Sequence, residues 1–166
     1  MKYRIKQKFF SLSDSFNIED AHGRTAFTAK GKIFSISSSQ TMFDASGREI
    51  LKIRRKYLSF RPACRIVNSD GSEWLIKKRW WPFWTTRFTI KTPKGELEMT
   101  GNLWQYEYEI RRRSELLATV SKALFSFSDS YGIDIYDESL TPQLIALVIV
   151  IDRMQHKDSG SMFADD

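Results

Sequence analysis

The chain has 166 residues, a formal net charge of +6 and one cysteine. This length fits a single domain with a core of its own. One cysteine excludes a disulfide framework and a zinc site built from several thiolates, and it favours a reducing compartment. The first residues alternate charged with apolar side chains and lack the continuous apolar run of a secretory signal, so we expect a cytoplasmic protein.

A spacing of 24 residues recurs along the amino-terminal part of the chain. Four glycines repeat at that spacing, each closing a short polar stretch: Gly23, Gly47, Gly71 and Gly95. Asp, Asn or Thr early in such a stretch and Gly at its end indicate a type I turn that closes on a left-handed residue. The interval between glycines accommodates two extended runs and a connection. The repeat unit is therefore predicted to be a β-hairpin.

Extended segments with one buried face follow one another along most of the chain. Several alternate apolar with polar residues, as in Trp74–Ile76 and Phe88–Ile90. Twelve short strands separated by turns predict a sandwich or a closed barrel. The predicted strands cover residues 3–9, 15–20, 24–30, 40–44, 48–56, 61–68, 72–78, 84–91, 95–101, 104–111, 115–122 and 128–136.

The last predicted element is an apolar helix. Thr141 suits the cap position, Pro142 suits the first helical position, and residues 144–151 form an unbroken apolar run. A membrane span needs about 20 apolar residues, so we expect no transmembrane span; a tail anchor that inserts partway is the alternative. A helix that is apolar on every side is buried on every side.

The expected architecture is mainly β. We predict a twelve-stranded antiparallel closed β-barrel of hairpins around a central buried hydrophobic C-terminal α-helix. One domain is expected over residues 1–155, with the helix at about 141–155. A flexible polar tail is expected over residues 156–166.

Several segments resemble the LURP-one-related family. They are IKQKFF at 5–10, the turns DAHG and DASG, REILKIRRK at 48–56 and LIALVIVID at 144–152. That family belongs to the tubby C-terminal-like superfamily together with the phospholipid scramblases, and the resemblance runs over about residues 3–155. It implies a twelve-stranded barrel around a hydrophobic helix. It implies less about function: tubby proteins bind phosphoinositides through a basic pocket, scramblases are associated with lipid movement and calcium, and fold does not determine function.

Residues suited to catalysis are scarce. His22 lies in a predicted turn and His156 in the tail, and no nucleophile, metalloprotease or nucleotide-binding motif is present. Cys64 stands between Arg61 and Arg65, which could lower its pKa, but a lone strand cysteine is more often a packing residue. We therefore expect no enzymatic activity and no cofactor.

An acidic stretch precedes the helix. It contains Asp129, Asp134, Asp137 and Glu138, whose oxygens suit calcium. The ligand spacing of an EF-hand is absent, and carboxylates ahead of a helix also stabilise its N-terminus. No metal site is predicted, and calcium binding stays open.

Positive charge is concentrated in the middle of the chain. Residues 48–91 carry 12 Lys and Arg against 3 Asp and Glu, a local net charge of +9. Outward strand positions need charge for solubility and to discourage edge pairing, which is one explanation. The other is a face that binds anions. The candidate ligand-binding residues, which alternation places on one face of each of two strands, are Lys52, Arg54, Lys56, Lys77 and Arg79.

Aromatic residues cluster beside these cations in KKRWWPFWTTR, residues 77–87. Trp80, Trp81 and Trp84 next to Lys and Arg are typical of a membrane interface. Alternatively, the rings cap a barrel end or pack under a loop. The three arginines at 111–113 are assigned to a solvated turn.

These observations predict a non-enzymatic binding module for an anionic ligand. The favoured ligand is a phospholipid or phosphoinositide headgroup at a cytoplasmic membrane surface, which would make the protein peripheral to the membrane. The alternative is a protein-interaction or scaffold domain without lipid binding. Nucleic acid is less favoured, because the basic strands carry no RRM, cold-shock or KH signature.

Overall fold

The structure is a computed structural model that describes residues 1–8, 15–31, 39–56, 63–79, 87–102, 105, 107–121 and 130–160. In this part of the chain there are twelve strands, a 3-10 turn at Glu138–Leu140 and the helix α1 (Thr141–Gly160). The strands are β1 (Lys2–Lys8), β2 (Ser15–Asp20), β3 (Thr25–Gly31), β4 (Ser39–Asp44), β5 (Glu49–Lys56), β6 (Ala63–Asn68), β7 (Glu73–Arg79), β8 (Arg87–Thr92), β9 (Gly95–Asn102), β10 (Glu107–Arg112), β11 (Glu115–Ser121) and β12 (Ser130–Ile135).

The strands form one closed antiparallel barrel. Each strand pairs with the next along the chain, and β1 also pairs with β12, so the sheet has no free edge. The predicted fold class is confirmed, and every predicted strand is present with ends that differ by at most three residues.

The helix α1 occupies the inside of the barrel. Its apolar run from Leu144 to Ile151 has no exposed surface at any position. It contacts β12 and, across the barrel, β5 and β6; β6 stands opposite β12 in the ring of twelve strands. Burying each large apolar side chain contributes about 1.5–3 kcal/mol relative to leaving it exposed. The prediction of a central helix is confirmed.

The wall supplies apolar side chains to this interior at alternate positions. Trp74, Ile76, Phe88 and Ile90 are buried as their alternation predicted, and they belong to the same core cluster as the helix. Within the described residues, no helix combines the length and hydropathy needed to cross a membrane. The helix itself runs on to Gly160, so residues 156–160, which we expected in the polar tail, continue its backbone.

Three of the repeated turns share one geometry. In the β4–β5 turn, the Gly47 amide donates to the Asp44 carbonyl at 3.0 Å and the Asp44 amide donates to the Arg48 carbonyl at 2.9 Å. A type I turn closed by a left-handed glycine has these bonds, and it preserves the twist of a hairpin. Gly23, Gly47 and Gly71 have φ angles of 77°, 80° and 82°, which confirms the prediction for these turns.

The fourth repeated turn was interpreted wrongly. Thr92 and Gly95 are partners in the β8–β9 ladder, so only Pro93 and Lys94 form the connection. Gly95 has a φ of 114° and begins a strand instead of closing a type I turn. A polar residue followed three positions later by Gly is compatible with a type I turn closed by a left-handed glycine and also with a two-residue hairpin loop. The spacing alone therefore does not distinguish these two kinds of hairpin.

The two ends of the barrel differ. The end that we call the turn end carries the five hairpin turns from β2–β3 to β10–β11 and the start of α1. The six connections at the other end fall largely outside the described residues. Trp80, Trp81 and Trp84 lie in one of those connections, between β7 and β8, and are outside the described residues.

A charge at the centre of α1 should destabilise the barrel. Val148→Asp places a carboxylate without a partner where the side chain has no exposure, at a cost of several kcal/mol. Chemical denaturation would measure that loss. The control is Val67→Asp, since Val67 is only half-buried and its partner on β5 is Lys52. Near-wild-type stability of Val148→Asp would contradict the central helix.

Replacing a repeated glycine by a β-branched residue should destabilise the protein. Nothing lies within 4 Å of a Cβ added at Gly47 or Gly71, so the cost of Val arises from backbone strain alone. We expect Gly47→Val and Gly71→Val each to lose about 1–2 kcal/mol of unfolding free energy in urea titrations. Gly47→Asn should lose less, because Asn tolerates left-handed backbone. Equal losses for Val and Asn would argue against strain as the cause.

Candidate functional site

The outside of strands β5, β6 and β7 presents positive charge. Arg54 and Lys77 are exposed and Lys52 is partly exposed, so the side chains described among the predicted cations face outward. The side chains of Lys56 and Arg79 lie outside what the structure describes. In the backbone register, Lys56 pairs with Ala63, which pairs in turn with Lys77.

A fourth described cation stands between the two predicted strands. Arg65 on β6 is the direct cross-strand partner of Arg54, which places two guanidinium-bearing side chains about 5 Å apart at their Cβ atoms. Sequence reasoning considered Arg65 only as a neighbour of Cys64 and did not include it among the ligand-binding candidates; the outward parity of β6 was the available signal. We call Lys52, Arg54, Arg65 and Lys77 the basic face.

Two members of the basic face have acidic neighbours. Lys52 Nζ lies 3.1 Å from Glu49 Oε1, and Arg65 Nη1 lies 3.4 Å from Glu73 Oε2. All four side chains are at least one-third exposed, so these ion pairs are weak and easily exchanged for other anions. Within the described residues no ion pair is formed by Arg54.

A cavity of about 270 Å³ opens at the turn end. It lies between the β6–β7 turn, the β8–β9 turn, the end of β10 and the start of α1. The lining residues are Asn68, Asp70, Ser72, Trp74, Thr92, Pro93, Lys94, Arg112, Ser139, Leu140 and Gln143. We call it the turn-end cavity.

One wall of the turn-end cavity joins the helix to a hairpin turn. Gln143 Nε2 donates to Asn68 Oδ1 at 2.9 Å, while Asn68 Nδ2 donates to the Ser72 carbonyl at 3.3 Å and to Ser72 Oγ at 3.1 Å. Gln143 Oε1 is shielded from solvent and accepts no hydrogen bond from the described residues. This amide therefore retains a buried acceptor to which the described residues supply no donor.

The charged residues of the cavity lie on different walls. Asp70 Oδ1 accepts from the Ser72 amide at 2.8 Å and from Ser72 Oγ at 2.6 Å, and these hydrogen bonds hold the pKa of Asp70 below its usual value. Lys94 comes from the β8–β9 turn. Arg112 Nη1 lies 3.5 Å from Glu115 Oε2, and its buried Nε has no hydrogen-bond partner among the described residues.

The position of Arg112 corrects a prediction. The three arginines at 111–113 were assigned to a solvated turn, but Arg111 and Arg112 are the last residues of β10 and only Arg113 begins the turn. The pairing with β11 shifts between Ile110 and Arg111, with Leu117 of β11 as the extra residue, and Arg112 keeps the parity of the buried Tyr108 and Ile110.

The other described candidates neither belong to the basic face nor line the turn-end cavity. Cys64 is buried in the core cluster, in accord with a packing role. Asp134 lies 3.5 Å from the amino-terminal nitrogen, and Asp137 accepts from the Ser139 amide at 3.2 Å, capping the 3-10 turn. Asp129 is outside the described residues. In the described ranges, no three His, Cys, Asp or Glu side chains are grouped as metal ligands would be.

Comparison with known proteins identifies the family. The family model described as LURP-one-related matches residues 1–152. The uncharacterized protein YxjI of Bacillus subtilis (strain 168) is 30% identical over 159 residues, covering 93% of each chain. An X-ray structure of a protein from Arabidopsis thaliana superposes with a TM-score of 0.60 at 12% identity, covering 91% of each chain, and shares the fold. The closed barrel around a helix and the match along nearly the whole chain agree, and the chain belongs to the LURP-one-related family.

Proposed function

We propose that this protein is a non-enzymatic binding module whose basic face binds phospholipid headgroups at an anionic membrane surface. The LURP-one-related family and the tubby-like fold suggest a ligand-binding domain in general terms. The choice of an anionic surface rests on the basic face. Lys56 and Arg79 belong to the proposed site through their positions in the backbone register.

The observation that carries the proposal is the Arg54–Arg65 pair. Like charges directly opposite each other on a sheet destabilise it, and the neighbouring cations Lys52 and Lys77 add to the repulsion. An anion bound between them removes that repulsion and gains charge-assisted hydrogen bonds. Each cation near an anionic leaflet contributes about 1 kcal/mol to binding. One cation alone therefore binds too weakly, and several must contact the surface together.

A rigid wall supports such a role. The backbones of β5, β6 and β7 are held by ladder bonds on both sides, and the inward side chains between the cations, such as Ile53, Ile66 and Ile76, are fully buried. The cations therefore project from fixed Cα positions, and binding requires ordering only of their own side chains.

The membrane test compares vesicles of phosphatidylglycerol with vesicles of phosphatidylcholine in a sedimentation assay. We expect binding to the anionic vesicles in about 0.01 M salt and its loss in about 1 M salt, since the screening length falls from about 30 Å to about 3 Å. Arg54→Gln/Lys77→Gln should weaken binding about tenfold or more. The control is Lys2→Gln/Arg113→Gln, which removes the same charge from exposed residues away from the basic face.

The outcome decides between two classes of function. If the wild-type protein does not bind anionic vesicles in low salt, the lipid hypothesis is wrong and the scaffold alternative replaces it. If both double variants weaken binding equally, net charge and not the basic face governs the attraction.

The tryptophans that follow β7 in the sequence give a second prediction. We propose that Trp80, Trp81 and Trp84 anchor the protein at the interface, so brominated lipids should quench their fluorescence on binding. The assay is made in a Trp104→Phe background, so that only Trp74 remains when all three are replaced by Ala. That triple replacement should remove this quenching, because Trp74 is only 5% exposed. Unchanged quenching in the triple variant would exclude this anchor.

A further inference from the structure

The third repeated turn departs from the first two. In the first two turns an Asp binds the Arg four residues later, with nitrogen–oxygen distances of 2.8 and 2.9 Å. Those pairs are Asp20–Arg24 and Asp44–Arg48. At the equivalent positions of the third turn stand Asn68 and Ser72, which are joined by hydrogen bonds and carry no charge. The third turn therefore has two short uncharged side chains where the first two turns have an ion pair that includes a long arginine.

The turn-end cavity lies beside this departure. Asn68 and Ser72 both line it. A volume of about 270 Å³ is just below the roughly 300–1,000 Å³ of typical small-molecule sites, which suits a ligand of metabolite size.

Two cations line the cavity. Lys94 and Arg112 stand against a single lining carboxylate, Asp70, so the lining carries a net positive charge. Arg112 keeps its Nε without a partner among the described residues and is held by Glu115 only at 3.5 Å. The Arg112 side chain is 25% exposed, so part of its guanidinium stays accessible to an anion.

The lining also contains hydrogen-bond acceptors. Gln143 Oε1 has no donor among the described residues, and Asp70 is kept ionised by the hydrogen bonds from Ser72. These acceptors suit hydroxyl groups. Trp74 also lines the cavity and adds an aromatic ring to its wall.

We propose that the turn-end cavity binds a small hydroxylated phosphomonoester of the sugar phosphate class. Its phosphate contacts Lys94 and Arg112, and its hydroxyls donate to Gln143 and Asp70. The same chemistry occurs in a phosphorylated lipid headgroup, but the cavity shares no lining residue with the basic face, and free esters are the probes that test it. The inference therefore stands independently of the membrane proposal.

Isothermal titration calorimetry with four small molecules tests the proposed ligand class. They are glucose 6-phosphate, glycerol 3-phosphate, inorganic phosphate and glucose. We expect the two esters to bind more tightly than inorganic phosphate, because it lacks the carbon-bound hydroxyl groups that contact Gln143 and Asp70. We also expect them to bind more tightly than glucose, because it lacks the phosphate that contacts Lys94 and Arg112. Failure of both esters to bind below about 10 mM would overturn the proposal. So would equal binding of inorganic phosphate and the esters, which would indicate a simple ion site.

Two variants locate the site. Lys94→Glu should weaken ester binding about tenfold or more, because it replaces a charge-assisted contact with repulsion. Lys91→Glu makes the same change at an exposed position that does not line the cavity and should leave binding unchanged. Equal loss in both variants would overturn the assignment of the site.

Discussion

Eight consecutive apolar residues of α1 require apolar surroundings in every direction, and the arrangement of the other elements follows from that requirement. A helix with its side chains is about 10–12 Å across, so the enclosing sheet must be wider than an eight-stranded barrel, whose interior is filled by its own side chains. Twelve strands provide this width. Their inward positions carry residues such as Ile5, Phe16 and Leu97, which fill the layer between helix and wall.

Much of this architecture can be predicted from local patterns. The interval of 24 residues, the alternation in the strands and the apolar run of the helix are each encoded by neighbouring residues, and together they define a barrel with a helix inside. The interpretation of Gly95 was wrong because one polar–glycine pattern serves two kinds of hairpin. The structure, through the ladder between Thr92 and Gly95, distinguishes them.

The candidate sites were less accessible to sequence reasoning. The basic face was predicted in part, but Arg65 becomes its centre only when β6 is placed between β5 and β7. The turn-end cavity was not predicted, because it depends on residues far apart in the chain. Asn68 and Gln143 are 75 positions apart and are joined by one hydrogen bond, and the extra residue Leu117 in β11 shifts the pairing of Arg112. Periodicity contains no information about such contacts.

The position of α1 also constrains how the barrel is made during synthesis. All twelve strands leave the ribosome before the helix that fills them, and the pair that closes the sheet, β1 with β12, joins segments more than a hundred residues apart. Hairpins can form as they emerge, since their turns are local, but their inward faces have no partner until the helix arrives. Long-range closure of this kind slows folding and leaves apolar strand faces exposed to other chains in the meantime. The nascent protein therefore depends on being protected from aggregation until its last element has been made.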